Sequence, residues 1–156
     1  MDPWPRVLAL SIAGAIGVNA RYWLALAIDR AIGPRLPWAT FAINVSGAFA
    51  LGMAASALLR LPAHHPLRLT VMVGFLGGYT TFSTFALETR TLWDSGLPGR
   101  SLGYAIGSVA AGVLAVSLGL ALGRIAFGTA ASPADAKDRV RVDAVADPVS
   151  NQDADP

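Results

Sequence analysis

The sequence predicts an all-α integral membrane protein of four transmembrane helices, the third of them broken. Apolar runs long enough to cross a bilayer recur four times between charges, and the third run carries glycines and hydroxyls at its centre. Composition agrees: with 54% hydrophobic and 14% charged residues in 156, the chain has too few charges to solvate the surface of a water-soluble domain.

A hydrocarbon core of about 30 Å takes about 20 helical residues at about 1.5 Å each. Runs of that length fall at 7–28, 38–59, 69–93 and 102–127, joined by short links rich in Pro, Gly and Arg. The first is too long for the apolar region of a cleavable signal, contains Arg21 and is followed by three more of its kind, so it is expected to stay in the mature protein. Arg21, about seven residues from the end of that run, either snorkels to the interface or places positive potential at an aqueous vestibule and concentrates anions there. Asn19 either lines the same mouth or ties the helix to a neighbour.

In the second run Asn44 is the expensive residue, because a buried amide needs partners. Its NH2 either donates to an anion or makes an interhelical hydrogen bond. Ala48, Gly52 and Ser56 form a stripe of small side chains for close helix packing.

The third run holds Gly74, Gly77, Gly78, Thr80, Thr81, Ser83 and Thr84 between Gly74 and Phe85, a poor choice for a simple anchor. Gly77 and Gly78 invite a break, and the hydroxyls can satisfy the backbone groups it frees. Irregular backbone at membrane depth belongs inside protein or against a cavity, so the break is expected to face the centre of a dimer. Carbonyls released there are oxygen ligands for a hard monovalent cation. Phe82 and Phe85, three residues apart, share a helical face; their positive ring edges either favour a small dehydrated anion or make ordinary lipid and core contacts.

The fourth run places Gly103, Gly107, Ala111, Ala115, Gly119 and Gly123 at every fourth position, a second packing stripe. Tyr104 and Ser108, one turn apart, offer a file of hydroxyls. Beyond it, residues 129–156 carry three basic residues against six Asp, whereas 1–128 carry nine Arg against four acids. The tail is therefore expected to be a disordered acidic segment, separate from the membrane domain at 1–128.

Flanking arginines are level on the two sides: Arg6, Arg60, Arg68 and Arg124 against Arg30, Arg35, Arg90 and Arg100. Because the Lys/Arg bias sets orientation, a level score predicts insertion either way up and so permits an antiparallel dimer; counting Lys137, Arg139 and Arg141 tips it toward a cytoplasmic C-terminus.

An enzyme finds no support. Cysteine is absent, and His64 and His65 lie in a Pro-flanked link, where adjacent residues cannot both face one metal from a helix. Glu88, the one acid within the spans with a claim to titrate, sits near Arg90 and the third link, where a salt bridge or interfacial solvation is expected.

The string Gly77-Gly78-Tyr79-Thr80-Thr81-Phe82-Ser83-Thr84-Phe85 resembles the GG-x-TTFSTF signature of the CrcB or Fluc fluoride channels. Asn44 to Gly52 is similar to the family's N-x-x-G-x-F-x-x-G segment, and Ala20-Arg21-Tyr22 resembles its first-span arginine motif. The resemblance covers about residues 6–127. It implies an antiparallel dual-topology homodimer with two pores in the plasma (inner) membrane, passively exporting cytoplasmic fluoride and so conferring fluoride resistance. It assigns Phe82 and Phe85 as aromatic edges, Asn44 as donor amide, Tyr104 and Ser108 as a polar file, and Thr81, Ser83, Thr84 and Arg21 as further contacts on the fluoride pathway. It also implies a structural sodium ion (Na+) at the two-fold axis on the backbone carbonyls of Gly77 and Thr80. Gly112 departs from the pattern, standing one turn after Ser108 where a hydroxyl is expected. Fluoride, the bilayer and a second copy are the expected partners, with no nucleic acid. The alternative function is a proton-coupled exporter of the small dual-topology kind, which needs a titratable carboxylate deep in a span.

Overall fold

A computed structural model describes residues 4–33 and 36–128; the acidic tail at 129–156 lies outside them. Four helices are long and apolar enough to cross a membrane, Trp4–Ile32, Trp38–Leu58, Pro66–Asp94 and Pro98–Phe127, and the chain is an all-α membrane protein. The first, second and fourth are α1, α2 and α6. The third span is composite: α3 (Pro66–Arg68), a π-helical stretch (Leu69–Phe75), α4 (Leu76–Tyr79) and α5 (Phe82–Asp94), with Thr80 and Thr81 extended between the last two.

Few apolar side chains are buried: Ala13, Ala39, Ile43, Ala55 and Leu76. Ile125 and Leu114, by contrast, are 81% and 70% exposed, an arrangement that suits hydrocarbon as the surrounding solvent. Because lipid gives apolar side chains no reason to leave it, helix pairing here rests on backbone approach. In α2 and α6 a side-chain carbon at Gly52 would collide with the Val116 carbonyl, and one at Gly119 with the Phe49 carbonyl. Ser56, buried on the same seam, donates to Leu120 O at 3.0 Å. The α1 helix meets the third span the same way: Gly17 lies against the Phe75 carbonyl, and a side-chain carbon on Gly78 would stand 2.6 Å from Gly14 O.

Only part of the small-residue stripe of the fourth span is used within the chain. Gly119 and Gly123 pack on α2, whereas at Gly103 and Gly107 nothing among the described residues lies within 4 Å of where a side-chain carbon would stand. The two halves therefore differ in what a substitution costs. Gly119→Val is expected to lower stability by about 3 kcal/mol or more, since two backbones must part. Gly99→Ala, with open space around it, should change stability by less than about 1 kcal/mol. Thermal unfolding of both variants in detergent checks the contrast.

Pro98 opens α6 at its first turn, and Arg60, in the turn just after α2, donates to the carbonyls of Phe127 and Gly128 at the other end. The cation thereby answers the negative pole of the longest helix.

Candidate functional site

Thr80 and Thr81 interrupt the third span about 14 residues from each end, near the middle of its length. The interruption is held by side chains that take over backbone hydrogen bonds. In a continuous helix the Thr81 N–H would donate to the Gly77 carbonyl; here it donates to Asn44 Oδ1 at 2.8 Å, and Asn44 Nδ2 donates back to Thr81 O at 2.9 Å. Likewise the Thr84 N–H, which would have closed on Thr80 O, donates to Thr81 Oγ1 at 3.3 Å, the N-cap of α5. One amide and one hydroxyl thus divert the two donors that would otherwise occupy the Gly77 and Thr80 carbonyls.

The sequence pointed to Gly77 and Gly78 as the place of interruption, and the structure keeps both within α4. Neither has a positive φ. Gly78 is small because Gly14 of α1 lies against it, and Gly77 faces open space. The departure from helix comes three residues later, where Asn44 competes for the backbone.

Arg21 reaches the third span: its Nη1 donates to the Thr80 carbonyl at 3.4 Å. Asn19 turns back on its own helix, donating to Ala15 O at 2.8 Å. The hydroxyls of Ser83 and Thr84 gather on Thr81 Oγ1, at 3.3 Å and 3.0 Å.

Beside the interruption an open cleft of about 440 Å³ is lined by Asn44, Thr81, Phe82, Phe85 and Ser108, among apolar neighbours. Phe85 sits between Phe82 and Tyr104, with ring centroids 5.6 Å and 5.4 Å away and the planes tilted in both pairs. Ser108 Oγ is enclosed yet has no hydrogen-bond partner among the described residues. Tyr104, one turn before it on α6, is its polar neighbour.

Of the two fates expected for Glu88, the salt bridge with Arg90 does not form. Arg90 pairs with Asp94 at 2.8 Å instead, and the Glu88 carboxylate accepts from Thr40 Oγ1 at 2.7 Å and from the Tyr104 hydroxyl at 2.8 Å. Both Glu88 and Thr40 therefore belong to the polar file that continues from Ser108 through Tyr104. The signal was available: Glu88 follows Phe85 by three residues and so shares its helical face, whereas residues two apart, such as Glu88 and Arg90, do not face each other. Gly112, beyond Ser108, offers no hydroxyl, and nothing among the described residues lies within 4 Å of where its side-chain carbon would stand.

No cluster of three or more His, Cys, Asp or Glu able to hold a metal occurs among the described residues. The oxygens that stand out are backbone carbonyls.

Comparison with known proteins adds an independent line. The family described as CrcB-like protein, Camphor Resistance (CrcB), matches residues 8–120. A fluoride-specific ion channel FluC of Chelativorans sp. (strain BNC1) is 40% identical over 112 residues, which are 71% of this chain and 90% of that protein. A fluoride-specific ion channel FluC 2 of Nitrobacter hamburgensis is 44% identical over 108 residues, 69% of this chain and 87% of its own. The FluC of Solibacter usitatus is 44% identical over 112 residues, covering 71% and 92%. With the family matched across all four spans and the relatives covered nearly end to end, the chain belongs to the CrcB family.

Proposed function

We propose that the chain is a passive, fluoride-selective channel, assembled in the plasma membrane from two antiparallel copies, that lets a cell lose fluoride. No bond is made or broken. One observation carries the reading: the Asn44 amide, which spends one N–H on the Thr81 carbonyl and keeps another, lines the same cleft as the Phe82 and Phe85 rings. A small, strongly hydrated anion must be offered donors in place of water, but not a full positive charge that would hold it. A hydroxyl, the remaining N–H of Asn44 and positive ring edges supply that combination. Arg21 raises the local anion concentration from a distance, and Ser83 and Thr84 hydrate the approach.

Assembly as an antiparallel pair is supported by the level arginine count and by the surface left open at Gly77, Gly103 and Gly107. The broken third span then lies where the two copies meet. A central sodium ion fits the donor set: the diverted hydrogen bonds leave the Gly77 carbonyl without its helical donor and the Thr80 carbonyl with only a long contact. Two copies would supply four uncharged oxygens, a ligand set for a hard cation of low charge. When bound, the ion would neutralise carbonyl dipoles at the axis and fix the geometry of both breaks.

The proton-coupled exporter gains one observation, a half-buried Glu88 carboxylate held by two hydroxyls. Proteoliposomes containing only this protein separate the readings. Fluoride release measured with an electrode, without a proton gradient and in large excess over chloride, is the expected result. An absolute requirement for the gradient would assign the exporter, and no release with or without it would leave a scaffold.

A further inference from the structure

We propose that Arg21 sets the affinity and the charge selectivity of the central cation site, a reading that rests on Gly77 and Thr80 being the sodium ligands. Arg21 stands about 17 residues beyond the start of α1 and about 11 before its end. Its guanidinium is directed at Thr80 O, at mid-depth of the third span. A charge at that depth is expensive and is kept where it serves a purpose. No carboxylate answers it: the ion pair seen among the described residues is Arg90 with Asp94.

A carbonyl oxygen has two lone pairs, so at 3.4 Å the guanidinium shares Thr80 O without closing it to a second cation. The two cations then stand within a few ångströms of each other in a medium far less polar than water. Each copy of the chain brings one such guanidinium, so an ion on the axis meets two. Repulsion scales with the charge of the incoming ion. A monovalent ion is held less tightly than four carbonyls alone would hold it, and a divalent ion, repelled twice as strongly and stripped of water at greater cost, is turned away. On this account the carbonyls select for oxygen-loving cations, and Arg21 selects among them by charge.

Thermal unfolding of the purified full-length protein in detergent tests this, with sodium varied against N-methyl-D-glucamine at constant chloride. Wild type is expected to be stabilised by sodium and indifferent to calcium. In Arg21→Gln and Arg21→Met the half-saturating sodium concentration should fall about tenfold or more, and calcium should become a substitute. Arg21→Lys, which keeps the charge, should stay within about threefold of wild type. Unchanged half-saturation and continued indifference to calcium in both neutral variants would overturn the proposal. Loss of the dimer in both, at every sodium concentration, would also overturn it by making Arg21 a structural strut. A wild type without any sodium response would instead remove the sodium reading, and the proposal with it.

Discussion

Asn44→Asp is expected to cut fluoride flux by about 100-fold or more. The side chain does two things at once. It clamps Thr81, accepting from its N–H at 2.8 Å and donating to its carbonyl at 2.9 Å, and it lines the cleft with Phe82 and Phe85. Aspartate keeps the acceptor and loses the donor, so a carboxylate oxygen is pressed against the Thr81 carbonyl. It also places a full negative charge on the path of an anion; at a separation of about 5 Å and an effective dielectric of about 20 that repulsion is about 3 kcal/mol, which alone accounts for the factor. Electrode recordings from proteoliposomes give the flux, and size-exclusion chromatography shows whether the dimer survives. An undiminished rate with an intact dimer would take Asn44 off the pathway.

The four spans were legible because a bilayer imposes a length, and runs of that length stand between Pro, Gly and Arg. What the sequence could not place was the partner of each polar group. The glycine pair drew attention to Gly77 and Gly78, yet those residues stay helical, because Gly78 is needed for contact with Gly14. The irregular residues are Thr80 and Thr81, chosen by an amide on α2 more than thirty positions away. The partners of Glu88 are hidden from the sequence for a related reason. Nearness in sequence suggested Arg90, but helical geometry sends Arg90 to Asp94, four residues on, and leaves Glu88 to Thr40 and Tyr104 on other helices. Local pattern gave the spans and their stripes of small residues. The site depends on which helix lies beside which, and that is set by glycine contacts such as Gly52 with Val116 and Gly17 with Phe75.

Phe85→Ile is expected to lower fluoride flux by about tenfold or more, and Phe82→Ile by a similar factor. Isoleucine is apolar and not much smaller than phenylalanine, so the change is close to neutral for lipid contact and for folding. What disappears is the ring and, with it, the positive edge. The two positions differ in a way that makes the comparison informative. Phe82 is 78% exposed, so its removal from the single chain empties no core and any loss of flux reports on the path itself. Phe85 lies between Phe82 and Tyr104, so isoleucine there also loosens the support of the Tyr104 hydroxyl that donates to Glu88. If ring edges carry the ion, both variants lose flux while the dimer and its unfolding temperature hold. If the rings merely pack, Phe85→Ile alone loses flux, its unfolding temperature falls with it, and Phe82→Ile conducts as the wild type does. Normal flux in both would dispose of the aromatic mechanism and leave the hydroxyl file of Tyr104 and Ser108, with the Asn44 amide, to guide the anion unaided.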